Sequence, residues 1–269
     1  TVWVSGYHTK GDGAFGSNIF EWDSASTDAD NGGIVIKLDS VTTGRYKLRY
    51  SGAVNVKWFG ATGVHNLSID DTPYFTAAQD VSKNIKIQKG SYTLDGFRPK
   101  NGCTFECDGY ENTHFYQKTT TVPAINCLSD ATVGQLSSLN LSGFKVYGVA
   151  GATVASVLVA AYGVFAIWKS VFDFVAASTY TALEIQGNDG ANVFWCEFKV
   201  TSENTSYISV IANGGVYNKF SMFLAQCYNK AYQSNQTSAI YNHLVTEGPI
   251  YITDQNSIFN SPVVEELHQ

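Results

Sequence analysis

Charge is scarce in this chain. Only 15% of its 269 residues are charged, against roughly 25% in an ordinary soluble domain. Arginine occurs three times, at Arg45, Arg49 and Arg98. With 17 basic against 23 acidic side chains and a net charge of −6, no basic footprint exists to carry a nucleic acid. Methionine occurs once, at Met222, and residue 1 is Thr. A processed or truncated piece of a longer protein is therefore expected.

Cysteine is sparse and odd in number, and five thiols without regular spacing make no disulfide framework. Cys103-x3-Cys107 followed by His114 approaches a zinc spacing but offers no evident fourth ligand, so these thiols are expected in a core and no metal site is predicted. The five histidines fall at no ligand spacing and beside no evident nucleophile. One long uncharged run exists, the 23 residues 146–168, enough to span a bilayer. Gly148, Gly151 and Gly163 interrupt it and no basic cluster flanks it, so two buried strands with an Ala-rich turn are expected and no membrane insertion.

What is abundant points to β structure. Hydrophobic residues make up 44%, aromatics 14%, and there are 24 glycines. That excludes a disordered chain and favours a β-rich fold with a polar, weakly charged surface. Residues 1–52 read as a small β-rich region, with strands near Trp3–Tyr7, Asn18–Trp22 and Ile34–Leu38 separated by Gly/Asp/Asn turns. Gly11-x-Gly13-x-x-Gly16 matches a dinucleotide fingerprint, but no βαβ unit surrounds it, so no cofactor is predicted. Residues 53–90 hold a strand ending at Gly60 and then Asp70-Asp71-Thr72-Pro73-Tyr74-Phe75, which predicts a helix capped by Asp or Thr, the paired Asp70 and Asp71 reading as caps in preference to catalytic acids.

Residues 91–269 repeat. Four alternating runs align on Phe144, Phe172, Phe198 and Phe220 at intervals of 28, 26 and 22 residues. The turn Gly187-Asn188-Asp189-Gly190 recurs as Ala212-Asn213-Gly214-Gly215. Short strands at such a period, with a recurring turn, are what a solenoid of stacked rungs requires, and a right-handed parallel β-helix fits best. The visible end at Gln269 offers no capping element, so further rungs are expected beyond it.

Two stretches carry a resemblance. Val54-Asn55-Val56-Lys57-Trp58-Phe59-Gly60-Ala61 through Asp70-Asp71-Thr72 resembles the opening motif of the pectate-lyase-like β-helix superfamily. Upstream, Gly6-Tyr7-His8, Gly11-Asp12-Gly13, Phe20-Glu21-Trp22-Asp23, Asp30-Asn31-Gly32-Gly33 and Gly44-Arg45-Tyr46 resemble the segment before that motif in bacteriophage tailspikes. Where the family has Gly-Asp-Gly between the two halves of the motif, this chain has Gly63-Val64-His65-Asn66. The resemblance implies a homotrimeric appendage of the virion tail, made in the host bacterial cytoplasm and joined to other tail proteins. It also implies binding, and often cleavage, of a bacterial surface polysaccharide. It supplies no catalytic residues.

Those come from the rungs. With Phe172, Phe174, Phe198 and Val200 inward, Asp173, Glu197 and Lys199 point outward. Asp173 and Glu197 are 24 residues apart, about one rung, which predicts two carboxylates at the roughly 5–5.5 Å of a retaining glycosidase. Two rungs would suit an inverting pair. The alternative is a charge ladder in which Lys145 and Lys199 neutralise the two acids. Glu184, Asp189 and Glu203 are other acids near rung edges. Trp168, Trp195, Tyr207 and Tyr217 are candidate sugar-stacking platforms, or else core or subunit contacts. All three arginines precede the four aligned runs, which weighs against a lyase. A glycan depolymerase, a glycan-binding adhesin and a purely structural virion part all remain open.

Overall fold

The computed structural model describes residues 1–12, 14, 19–187, 193–213, 215–227, 230–234, 238–246, 250–252, 258–259 and 262–264, with the side chains of 212–217 and of 225 onward outside the description. Gly13, Gly16, residues 188–190 and Gly214, from the glycine-rich motifs above, also lie outside the described residues.

The first fifty residues form a four-stranded antiparallel sheet in the order Val2–Trp3, Ile19–Asp23, Arg45–Arg49, Val35–Ile36. Its central pair sets Phe20 against Leu48, both buried, and Glu21 against Lys47. The outward charges pair off: Arg49 with Glu21 at 2.7 Å and Lys47 with Asp23 at 2.9 Å. Arg45 is buried and donates to the carbonyls of Asp28, Thr42 and Gly44. Two of the three arginines thus hold this sheet together.

The chain enters the parallel sheets through strand Val54–Asn55 and a 3-10 turn, Val56–Phe59, that ends at Gly60 with φ 111°. A Cβ there would lie 2.9–3.0 Å from the Tyr74 and Tyr7 rings, so glycine serves both the turn and the close approach. The predicted helix runs Thr72–Val81 with Pro73 in its first turn, burying Phe75 and Ala78. Capping is divided differently from expectation. Asp70 accepts from the Thr72 amide at 3.0 Å, whereas Asp71 makes no cap. The Asp71 carboxylate is fully buried and accepts from the amides of Thr62 (2.8 Å) and Thr93 (3.0 Å). It ties the loop before the helix onto the strand Gly90–Leu94, and burial pushes its pKa up despite those bonds.

From there the strands stack in parallel, in one six-stranded sheet and one larger sheet. Both are mostly parallel β, and they fit a parallel β-helix. The residues 146–168 divide among the strands Asn140–Tyr147, Ala155–Ala161 and Ile167–Trp168, and among the described residues no helix is long and apolar enough to cross a membrane. Inward positions make a continuous core: the rings of Phe172, Phe198 and Phe220 stack at 5.1 and 5.2 Å. Phe144 departs from the predicted alignment. It stacks on Phe174, not Phe172, because a bulge at Gly143 (φ 81°) shifts the register, and Leu141 takes the place beside Phe172. Cys103, Cys127 and Cys196 are buried in this core, and Cys107 packs against it.

From Leu141 onward the interval between neighbouring strands falls. Leu141 lies beside Phe172, 31 residues on; Phe172 beside Phe198, 26 on; Phe198 beside Phe220, 22 on; Val245 beside Val263, 18 on. In three successive turns one corner is made by a residue in the left-handed region: Ser138 (φ 53°), Lys169 (50°) and Trp195 (54°) each follow matched strands. Ser178 and Asn204 do the same at a second corner. Left-handed backbone is costly for a side chain with a Cβ, so these corners are held by the stack rather than by local preference.

Candidate functional site

Alternation along Val171–Ala177 and Glu197–Thr205 buries Phe172, Phe174, Phe198 and Val200 and turns Asp173, Val175, Glu197 and Lys199 outward, as expected. The register does not follow expectation. Asp173 lies beside Lys199, which lies beside Ser221; Glu197 lies beside Val171 and Lys219. The rung here is 26 residues, so Asp173 and Glu197 are diagonal neighbours at about 7–8 Å rather than ladder partners.

Each acid has its own partners. Glu197 sits 3.6 Å from the Lys199 ammonium and 3.5 Å from that of Lys219. Lys145, expected near Asp173, reaches Glu203 at 3.9 Å instead. Asp173 accepts a 2.5 Å hydrogen bond from the hydroxyl of Tyr110. That tyrosine stands in the turn after Thr104–Cys107, two rungs earlier along the column Glu106, Ser142, Asp173. Burial first, then the bond to Asp173, pushes the phenol up to about 12, so it remains a donor at neutral pH. Tyr110 roofs a cavity of about 200 Å³ whose walls include Asp173, Lys199, Thr201, Ser221 and Phe223. It is large enough for one sugar ring, with hydroxyl, carboxylate and ammonium groups on its walls and the exposed Phe223 ring at its side.

Two residues before Glu197 the chain turns its corner, and there the aromatics gather. Trp168 and Phe194 stack at 6.1 Å, with the Lys169 ammonium 4.9 Å from the Trp168 ring centre. Trp195 meets Phe194 edge-on at 5.1 Å and leaves 55% of its surface exposed. Tyr217 follows next in the column, since Phe194 lies beside Val216, but its side chain is outside the described residues. Trp168 and Trp195 therefore border the face that carries Glu197 and Asp173.

Tyr207 and Glu184 do not join them. Tyr207 stacks on Tyr180 at 4.8 Å beyond the opposite end of Glu197–Thr205. Glu184 belongs to the six-stranded sheet, between Leu158 and Ile211, and accepts from Gln186, which accepts from the Tyr162 hydroxyl. Asp189 is outside the described residues. Tyr110, Ser221 and Phe223 carried no signal in the sequence beyond a turn at Asp108-Gly109 and one alternating run. Among the described residues no three His, Cys, Asp or Glu side chains gather as a metal site.

No family model matches the sequence, and no curated protein matches it. Solved structures show likeness in fold. The enzymatically active domain of bacteriophage CBA120 tailspike protein 2 superposes with a TM-score of 0.55 at 14% identity, over 96% of this chain and 49% of that one. Full-length tailspike protein 2 from Escherichia coli O157:H7 bacteriophage CAB120 gives 0.53 at 14%, over 91% and 41%. Tailspike protein gp49 from Acinetobacter baumannii bacteriophage Fri1, a capsular polysaccharide depolymerase, gives 0.49 at 12%, over 89% and 63%. The chain spans less than half the length of the first two. In its fold, this chain is similar to the phage tailspike proteins.

Proposed function

We propose that this chain is part of a phage tailspike that binds a bacterial surface polysaccharide, capsule or O-antigen, and depolymerises it by glycosidic hydrolysis. The reading includes a small N-terminal β region over 1–52, an opening segment over 53–90 and rungs from 91 onward, assembled as a homotrimer in the virion tail with other tail proteins. One observation carries it: Asp173, in a sugar-sized cavity under Tyr110, shares an outer face with Glu197, which borders the exposed Trp195.

Two acids on the diagonal, with backbones about 7–8 Å apart rather than at one ladder step, suit an inverting glycosidase, where one carboxylate activates water and the other protonates the leaving oxygen. Asp173 suits the base, since Tyr110 donates to it and orients it. Glu197 takes the acid role once a sugar displaces its lysines. Both are exposed and held at 3.5–3.6 Å, contacts worth little in water. Trp168 and Trp195 form the stacking platform, with Tyr217 a further candidate from the sequence, Tyr207 at the far edge and Glu184 the alternative acid on the other sheet. A second reading, binding without cleavage, draws support from the two lysines on Glu197.

The test is a reducing-end assay on purified capsule and O-antigen, with the ultraviolet absorbance of unsaturated uronates followed in parallel. New reducing ends without that absorbance, lost by about 10²–10⁴ in Asp173→Asn and Glu197→Gln, are expected. Absorbance with cleavage overturns hydrolysis, and binding alone makes the protein an adhesin.

A further inference from the structure

A larger cavity, about 660 Å³, lies between the helix Thr72–Val81 and the turns around residues 96–103 and 130–133. Its helix wall is neutral and built into the frame. Gln79 is buried, its amide donating to the Arg98 carbonyl and accepting from the Lys100 amide, both at 2.8 Å. The rim is cationic, with Lys83, Arg98 and Lys100. Lys100 has a carboxylate partner, Asp80. Neither Lys83 nor Arg98 has an ion-pair partner among the described residues.

Arg98 is the exception among the three arginines. Arg45 is consumed by backbone carbonyls and Arg49 by Glu21. Lys83 and Arg98 thus stand on this rim without an ion pair, while the nearby carboxylates of Asp95 and Asp130 accept from the Thr119 hydroxyl and from the amides of Thr132 and Val133. The cavity also heads the column of corner residues. Asn101 on its rim accepts from the amide and hydroxyl of Ser137 at 2.6 and 3.1 Å; Ser137 lies beside Trp168, and Trp168 beside Phe194. At about 4.8 Å per rung, three rungs separate the cationic rim from the exposed Trp195.

We propose that this cavity takes the carboxylate of an acidic sugar residue belonging to the polysaccharide that lies over Trp168 and Trp195. The substrate is then an acidic polysaccharide, and the inference rests on reading that outer surface as glycan-binding. The planar guanidinium of Arg98 matches a carboxylate in a two-point contact, and Lys83 adds charge without fixing orientation.

The presence of only three arginines makes a direct test simple. In the full chain labelled with 15N-arginine, the three Nε–H signals are followed while sodium glucuronate, methyl glucoside or inorganic phosphate is added at constant ionic strength. The Arg98 signal is expected to move saturably with glucuronate and not with methyl glucoside, while Arg49 stays still. Lys83→Met is expected to weaken the glucuronate effect about two- to five-fold. Equal movement of Arg98 and Arg49, or no movement, overturns the proposal. Saturation by phosphate at lower concentration than glucuronate overturns the sugar carboxylate as the ligand. Polysaccharide binding by the Trp195→Ala variant tests the parent reading separately, so either can fail without the other.

Discussion

Tyr110 and Asp173 are 63 residues apart in the chain and 2.5 Å apart in space, the phenol donating to the carboxylate from a turn two rungs earlier. The bond links two levels of the stack as well as closing a cavity.

Replacing Tyr110 by Phe is expected to lower stability by about 1–2 kcal/mol, a bond to a charged group discounted for partial exposure. It should also alter the alkaline behaviour. The folded phenol is raised from 10 to about 12, so the native state holds its proton more tightly than the unfolded chain. That contribution is whole below pH 10 and lost as pH rises through about 12. Buried Tyr92 and the buried thiols also resist ionisation, so urea unfolding at pH 8, 10 and 12 should show a larger loss in the native sequence than in Tyr110→Phe. Identical pH profiles would refute it.

Asp71 should behave in the acid range. Burial raises its pKa above the ordinary carboxylate value, so its contribution is fully present below that value and declines as pH rises through the folded one. Asp71→Asn should abolish this slope. It should also cost about 2–3 kcal/mol, because one of the two amides now accepted by carboxylate oxygens would face an NH₂ group. Chemical denaturation of both proteins between pH 3 and 7 measures each effect.

The register can be read by cross-linking. Parallel neighbours lie within the Cα separation that a disulfide tolerates, and diagonal ones fall outside it. Asp173→Cys combined with Lys199→Cys should oxidise to an intramolecular bridge, whereas Asp173→Cys combined with Glu197→Cys should stay reduced. Mass spectrometry of tryptic peptides distinguishes them, and the reverse result would mean the strands pair two residues out of step.

Phe198 lies in the middle of a three-ring stack, between Phe172 and Phe220. Phe198→Ala should cost about 3–5 kcal/mol. An unfolding midpoint close to that of the native sequence would mean the stack contributes little.

Trp195 sets function against stability. Its φ of 54° is a position where glycine is at ease, and its indole is largely in solvent. Trp195→Gly is expected to stabilise the fold by about 1 kcal/mol while weakening polysaccharide binding. Thermal melting and a binding isotherm on the same preparation check both, and a variant that binds undiminished would show that the indole has no part in recognition.

Much of this architecture is legible in the sequence, and its limits are physical. The alternation around Phe172 and Phe198 marks the inward face, and their interval of 26 residues is the true length of that rung. The same interval already implies Lys199, not Glu197, beside Asp173. Alternation fixes which face a residue occupies but leaves the register free. Gly143 hides a bulge, so Phe144 aligns by eye with Phe172 and in space with Phe174. The acidic pair before the helix is recognisable, yet only tertiary contact with Thr62 and Thr93 separates a cap at Asp70 from a tie at Asp71. Tyr110 is beyond any local pattern, because its role depends on two intervening turns of the solenoid.

The shortening intervals carry a further consequence. From Leu141 onward the interval between neighbouring strands falls from 31 to 18 residues, so successive levels of this part of the stack cannot carry connections of equal size. Wherever a longer turn precedes a shorter one, its surplus residues project as a ledge. A linear molecule laid along such a stack meets a staircase, and its position along the axis is set by where its bulky units come to rest against the steps.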